Sequence, residues 1–256
     1  MNNCTFEISV DDNSLTEFVR RLPACFSSSG EVIYKARNEV RKISACGRCL
    51  VVKRFRNGGL AKQIIQTLAK SKARRSYDNA RRLLEAGIPT PCHLAWLECR
   101  DGLGLVCESY YVCEYSDMAA IADGLHEHDG FDRPLVEALA QFVAEIHRKG
   151  ILHNDLNNTN IRYAVHDGAY RFSLIDLNRM RIYRRRLSFS ECLYDTTRFS
   201  CLSDMYRHFI RCYLRAMAWD DSLYEKAISI KGRHDRAWSR RKAFTGFLKK
   251  IIGKQT

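Results

Sequence analysis

The spacing of the apolar residues changes once along this chain of 256 residues, close to Tyr115, and that change limits the fold more than any other feature. Before it, short β-branched and aromatic runs alternate with turn residues, as in half-buried antiparallel strands. Residues 31–37 and 39–43 flank a turn at Asn38, Cys46-Gly47 makes a second turn, and residues 48–55 form the next strand. Ala73, Tyr77, Ala80 and Leu84 recur at three- and four-residue steps, so the spacing predicts a helix over 70–86 that Gly87 stops. Pro89 and Pro91 then enforce extended backbone. Two further strands, around 94–98 and 104–114, surround an Asp101-Gly102 turn.

Beyond Tyr115 the helical repeat takes over. Pro134 opens a helix with Leu135, Leu139, Phe142, Val143 and Ile146 on one face, ended by Gly150; another carries Leu202, Tyr206, Phe209, Ile210, Tyr213 and Met217. The expectation is an α+β chain of two lobes. Residues 1–115 form an antiparallel sheet with one helix, residues 116–256 are mostly helical, and the junction lies near 112–116.

Several classes of protein are excluded. No apolar run approaches the ~18–20 residues of a membrane-spanning helix, and Met1-Asn2-Asn3-Cys4-Thr5-Phe6-Glu7 lacks the order of a secretory signal. A cytoplasmic location is expected. Eleven scattered cysteines, an odd number, suit a reducing compartment. Cys46-Gly47-Arg48-Cys49 is a lone C-x-x-C without the second pair of a zinc ribbon, and reads as a hairpin turn with two incidental thiols rather than a metal or redox site. His126-Glu127-His128-Asp129, between Gly124 and Gly130, reads as a solvated loop.

Charge carries more information. The chain holds 42 Lys and Arg against 29 Asp and Glu, a net +13, and the last 26 residues hold nine cations and one acid. Such a field points to an anionic partner.

The chemistry concentrates between the two predicted C-terminal helices. His153-Asn154-Asp155-Leu156 leads to Asn160, and an apolar run ends at Ile175-Asp176-Leu177-Asn178. This H-x-D-L-x-x-x-N followed by I-D-x-N resembles the catalytic loop and metal-binding aspartate of the protein-kinase-like superfamily. Phosphoryl transfer needs a carboxylate beside the attacking hydroxyl and hard oxygen ligands for Mg²⁺. The resemblance implies the first role for Asp155 and the second for Asn160 and Asp176. His153 orients the loop backbone, with His147 packed beneath it. Lys53, a cation inside the apolar strand Leu50-Val51-Val52-Lys53, resembles the strand lysine that holds the nucleotide phosphates. Its acidic helix partner is Asp78 or Glu85, with Asp78 preferred. The backbone of Glu114 and Tyr115 is expected to meet the adenine edge. No glycine-rich loop precedes Lys53; Ala36-Arg37-Asn38-Glu39 stands there, and Arg37 is the candidate cation over the phosphates. Asn154 replaces the arginine of H-R-D, which argues against control by a phosphorylated activation loop.

Beyond these motifs, residues 33–38, 50–55, 71–73 with 75–77, Gly87-Ile88-Pro89-Thr90-Pro91 and Ile175-Asp176-Leu177-Asn178-Arg179-Met180 are similar to the bacterial lipopolysaccharide core kinase family. The resemblance implies an ATP- and Mg²⁺-dependent transferase of lipopolysaccharide biosynthesis that phosphorylates Kdo or heptose of the inner core. Arg179, Arg181, Arg184, Arg185 and Arg186 are then candidates to grip an acidic, phosphorylated lipid A-linked acceptor. The basic, partly apolar tail 243–254 is a candidate for a peripheral position on the anionic inner face of the inner membrane. Nucleic acid is not an expected partner. The same residues also suit another small-molecule or atypical serine/threonine kinase of this fold, and, as a different class, a pseudokinase or an anion- or nucleic-acid-binding module.

Overall fold

The computed structural model describes residues 3–127, 130–200 and 202–252, with no side-chain description for 126–127 and 244–252. His126–Asp129 and most of the basic tail, including Lys249, Lys250 and Lys254, therefore lie outside the described side chains. The chain divides into two compact units, one of residues 1–118 with 173–179 and one of residues 119–172 with 180–256. The sequence did not show that a seven-residue segment around Asp176 returns to the first unit.

In the first unit, β1 (Asn3–Ile8) and α1 (Asn13–Cys25) precede β2 (Glu31–Lys35), β3 (Asn38–Ala45) and β4 (Arg48–Arg56); then follow α2 (Leu60–Leu68), α3 (Lys72–Glu85), β5 (His93–Arg100) and β6 (Val106–Glu114). The six strands form one antiparallel sheet in the order β1-β5-β6-β4-β3-β2. Helices α1 and α2 add to the single helix expected. The β2–β3 turn falls at Ala36-Arg37, and Asn38 is already paired with Phe55 in the next hairpin. Cys46 and Gly47 both have positive φ, the geometry of a two-residue turn whose twist matches its strands, and both thiols of the C-x-x-C are free.

Alternation along β4 decides what each side chain meets. Leu50 and Val52 join Leu15, Val19, Leu22 and Phe26 in a core that α1 covers. Phe55 instead packs with Ala73, Tyr77 and Trp96, among them residues of α3. Arg54 is a structural cation: with Arg41 it clasps the buried Glu39, and both guanidinium groups lie over the Phe26 ring. Helix α3 starts on the Ser71 hydroxyl, which accepts from the Arg74 amide. It stops where Gly87 takes φ +71° and the Ile88 amide reaches back to the Leu83 carbonyl, a closure that favours glycine.

The second unit opens with β7 (Ala119–Ala120), the single turn α4 (Ile121–Gly124), β8 (His126–Glu127) and β9 (Gly130–Phe131). Next come α5 (Arg133–Arg148), β10 (Ile151–Leu152), β11 (Ile161–His166), β12 (Ala169–Leu174), β13 (Arg181–Ile182), α6 (Phe189–Thr196), α7 (Asp204–Ala216) and α8 (Tyr224–Ile252). Helix α5 begins as expected, with Asp132 capping and Pro134 in its first turn, and buries Leu135, Leu139, Phe142, Val143 and Ile146. Gly150 follows it at φ +74°; a Cβ there would stand 2.4 Å from the Tyr183 carbonyl oxygen, so the approach of β13 to β10 requires glycine. Among the described residues no helix is long and apolar enough to cross a membrane.

Candidate active site

Lys53 and Asp176, 123 residues apart in sequence, meet in the first unit, with the Lys53 ammonium 2.6 Å from Asp176 Oδ1. Three hydrogen bonds hold the returning segment there. Leu174 donates its amide to the Pro89 carbonyl, the Thr90 hydroxyl donates to the Leu174 carbonyl, and the Asn79 amide group of α3 donates to the Leu177 carbonyl. The Ile-Pro-Thr-Pro stretch thus serves as the seat of the Asp176 segment. Asn178 donates to the same carboxylate oxygen as Lys53. Asp176 itself takes φ +59°, a backbone region that non-glycine residues occupy seldom and mostly where function demands it.

The expected helix partner of Lys53 needs correction. Asp78 is ion-paired with Lys70, and Glu85 lies beside Arg81 one turn earlier, so neither acid of α3 serves Lys53. The amides of Glu114 and Tyr115 donate to the Cys92 and Cys49 carbonyls, so a base could meet this backbone only through its carbonyl oxygens. The Glu114 carboxylate faces Arg48 at 3.2 Å, and the Tyr115 ring lies under the Lys42 ammonium at 3.9 Å. Arg37 is exposed in the β2–β3 turn.

In the second unit, the loop between β10 and β11 carries His153, Asp155 and Asn160. Its anchor is Asp195, at the end of α6, which sequence reasoning missed. The buried Asp195 carboxylate accepts from the amides of His153 at 2.8 Å and Asn154 at 2.6 Å. His147 Nε2 lies 3.3 Å from the same carboxylate and its Nδ1 lies 2.6 Å from the Tyr213 hydroxyl. Burial alone would raise the Asp195 pKa, but the His147 hydrogen bond and the neighbouring histidines and amide hold it below the ordinary carboxylate value. The loop turns on Asn154, whose φ of +60° suits asparagine far better than the arginine of H-R-D.

Asp155 Oδ1 receives a guanidinium hydrogen bond from Arg198 at 2.7 Å, another residue without a sequence signal. The Asn160 side-chain amide donates to the Asp155 carbonyl at 2.9 Å, which turns its Oδ1 away from that bond. An amide oxygen of this kind and the Asp176 carboxylate are hard donors that suit Mg²⁺. Behind Arg198, the buried Lys231 of α8 donates to the Thr197 carbonyl at 2.7 Å and pairs with Asp235. The first cation counted in the basic tail is therefore a structural one.

The five arginines expected to grip the acceptor are not equivalent. Arg179 belongs to the first unit and the other four to the second. Arg185 pairs with Glu191 and lies over Tyr183, while Arg181, Arg184 and Arg186 are exposed. Arg185 and the Ser188 capping bonds lower the Glu191 pKa to about 2, so that pair persists across the physiological range. The one group of possible metal ligands of three residues among the described ones, Glu137, His208 and Cys212, lies on α5 and α7 and does not include Cys46 or Cys49.

Comparison with known proteins agrees with the sequence. The model of the lipopolysaccharide kinase (Kdo/WaaP) family matches residues 29–190, a span that includes Lys53, Asp155, Asn160 and Asp176. Among solved structures the chain is similar to WaaP in complex with acyl carrier protein, at 20% identity and a TM-score of 0.60, over 94% of this chain and 98% of that one. It also matches the Rio2 kinase of Chaetomium thermophilum, solved as an ADP/Mg²⁺-phosphoaspartate complex, at 14% identity and a TM-score of 0.49, over 87% of this chain and 76% of that one. No curated protein sequence matches.

Proposed function

Because the chain belongs to the lipopolysaccharide kinase (Kdo/WaaP) family, we propose that this phosphotransferase moves the γ-phosphate of ATP to a hydroxyl of an inner-core sugar, Kdo or heptose, of lipopolysaccharide. The observation that carries the reading is the Lys53–Asp176 pair. A cation and an acid distant in sequence are brought to 2.6 Å, on a segment that three separate hydrogen bonds hold in place.

The proposed roles follow from residue chemistry. Lys53 holds the phosphate chain. Asp155 orients the acceptor hydroxyl and takes its proton as the new oxygen–phosphorus bond forms, while the bond between the γ-phosphorus and its bridging oxygen breaks and ADP leaves with the electron pair. Asp176 and Asn160 would hold Mg²⁺, whose charge would offset that of the phosphates. Asp195 and His147 keep the Asp155 loop in one conformation, and Arg198 orients the Asp155 carboxylate. Arg181, Arg184 and Arg186 present guanidinium groups for an acidic, phosphorylated acceptor. The basic tail supports a peripheral position on an anionic membrane.

Incubation with labelled ATP, Mg²⁺ and purified core lipid is expected to label the inner core, at a hydroxyl that mass spectrometry locates. Label on a different acceptor class would direct the assignment to another kinase of this fold. No label on any acceptor, with ATP bound, would make the chain a pseudokinase. The metal role has its own check. Asp176→Asn is expected to remove most of the Mg²⁺ dependence of ATP binding, read by titration calorimetry with and without the metal. Unchanged Mg²⁺ dependence would take Asp176 out of the metal site. Exchange of Lys249, Lys250 and Lys254 for Glu should lower recovery with anionic vesicles while turnover of a soluble acceptor is kept.

A further inference from the structure

With Asp78 on Lys70 and Glu85 beside Arg81, α3 supplies no acid to Lys53. What it turns toward the same place is a cation. The Lys53 ammonium lies 5.2 Å from the centroid of the Phe55 ring, and the Lys72 ammonium, from the first turn of α3, lies 5.9 Å from that same ring. Phe55 is fully buried, so the ring that both cations lie near is fixed in place. Lys72 is half-buried and makes no ion pair among the described residues. Burial first, and then the charges of Arg37, Arg75, Lys62 and Arg179, lower its pKa. Positive charge gathered around a partly desolvated lysine opposes folding unless an anion compensates it.

We propose that Lys72 is a second phosphate-binding cation, which together with Lys53 grips the phosphate chain of the nucleotide. The proposal rests on the reading that the first unit binds ATP. It also explains how the chain manages without a glycine-rich loop. Backbone amides in such a loop are replaced by ammonium and guanidinium groups: Lys72 from α3, and Arg37 from the β2–β3 turn, whose charge heads those acting on Lys72. The nucleotide is favoured over a phosphorylated acceptor because Lys72 lies near the same aromatic ring as Lys53, the partner of Asp176.

The test is nucleotide affinity, measured by titration calorimetry on the full chain with Mg²⁺. Lys72→Gln and Lys72→Met are compared with Lys72→Arg and with Lys53→Met, each checked by thermal melting. Lys72→Gln and Lys72→Met should weaken ATP and inorganic tripolyphosphate by roughly tenfold, the worth of one charge-assisted hydrogen bond, with AMP little changed. Lys72→Arg should retain most of the affinity. ATP affinity within twofold of the parent in both neutral variants, with Lys53→Met weakened, would overturn the proposal and leave the kinase reading standing. Weaker binding of a phosphorylated acceptor with ATP unaffected would also overturn it. Failure of the parent chain to bind ATP at all would remove the kinase reading first.

Discussion

Asp155→Asn is expected to lower phosphoryl transfer by about a thousandfold, within the ~10²–10⁴ that a positioned general base contributes, while ATP affinity stays within a factor of two. The substitution keeps the shape of the side chain, and its amide oxygen can still accept from Arg198, which holds Asp155 Oδ1 at 2.7 Å. The loop keeps its support from Asp195, which holds the amides of His153 and Asn154. What disappears is a carboxylate able to take a proton. Lys53 and Asp176, the proposed phosphate and metal ligands, lie in the first unit, and Asp155 in the second, so the proposal lets binding and transfer be read separately. Single-turnover transfer and equilibrium ATP binding on the same preparation decide the matter. Transfer retained within tenfold would remove Asp155 from the mechanism.

The second large effect concerns Asp195. Asp195→Ala would leave the buried His153 amide, the partly buried Asn154 amide and the His147 imidazole without their shared acceptor, at a cost of about 3–5 kcal/mol and a loss of roughly 10 °C in melting temperature for a chain of this size. Transfer should fall with it, because the loop that carries Asp155 loses its anchor. The sign of the accompanying pH effect is fixed by the lowered Asp195 pKa. A carboxylate whose folded-state pKa lies below its unfolded value stabilises the fold fully above the ordinary carboxylate range. That stabilisation is lost as pH falls through the folded-state value. The melting temperature of the parent should thus decline on acidification below about pH 4, and Asp195→Asn should flatten that part of the profile. A variant that melts with the parent at neutral pH would show that the loop has another support.

Much of this is legible in the amino-acid sequence. Strand alternation located β2 to β6, the three- and four-residue steps located α3, α5 and α7, and the spacing of Asp155, Asn160 and Asp176 pointed to kinase chemistry. The omissions have physical causes. Helix α1 carries Leu15, Val19 and Leu22 at helical spacing among polar residues and contains Pro23, so its weak intrinsic preference is offset only by packing on the sheet. Helix α2 sets Leu60, Ile64, Ile65 and Leu68 at helical spacing but is only nine residues long and buries none of them. Asp195 and Arg198 look in sequence like ordinary surface charges, since nothing local shows that one lies beneath a loop 42 residues earlier and the other reaches Asp155. Lys53 drew attention because a cation inside an apolar strand is costly, but the identity of its counter-charge depends on where residues 173–179 pack. Resemblance suggested a helix acid; the fold supplied Asp176.

That last arrangement bears on any attempt to dissect the protein. A truncated polypeptide ending at Met118 would look, on the linear map, like a complete nucleotide-binding half. It would nevertheless lack the Leu174 and Leu177 carbonyls that receive Thr90 and Asn79, and with them the Asp176 carboxylate that pairs with Lys53. Such a fragment should recover its ligand chemistry only when the missing peptide, Ser173–Arg179, is supplied in trans or spliced on behind it.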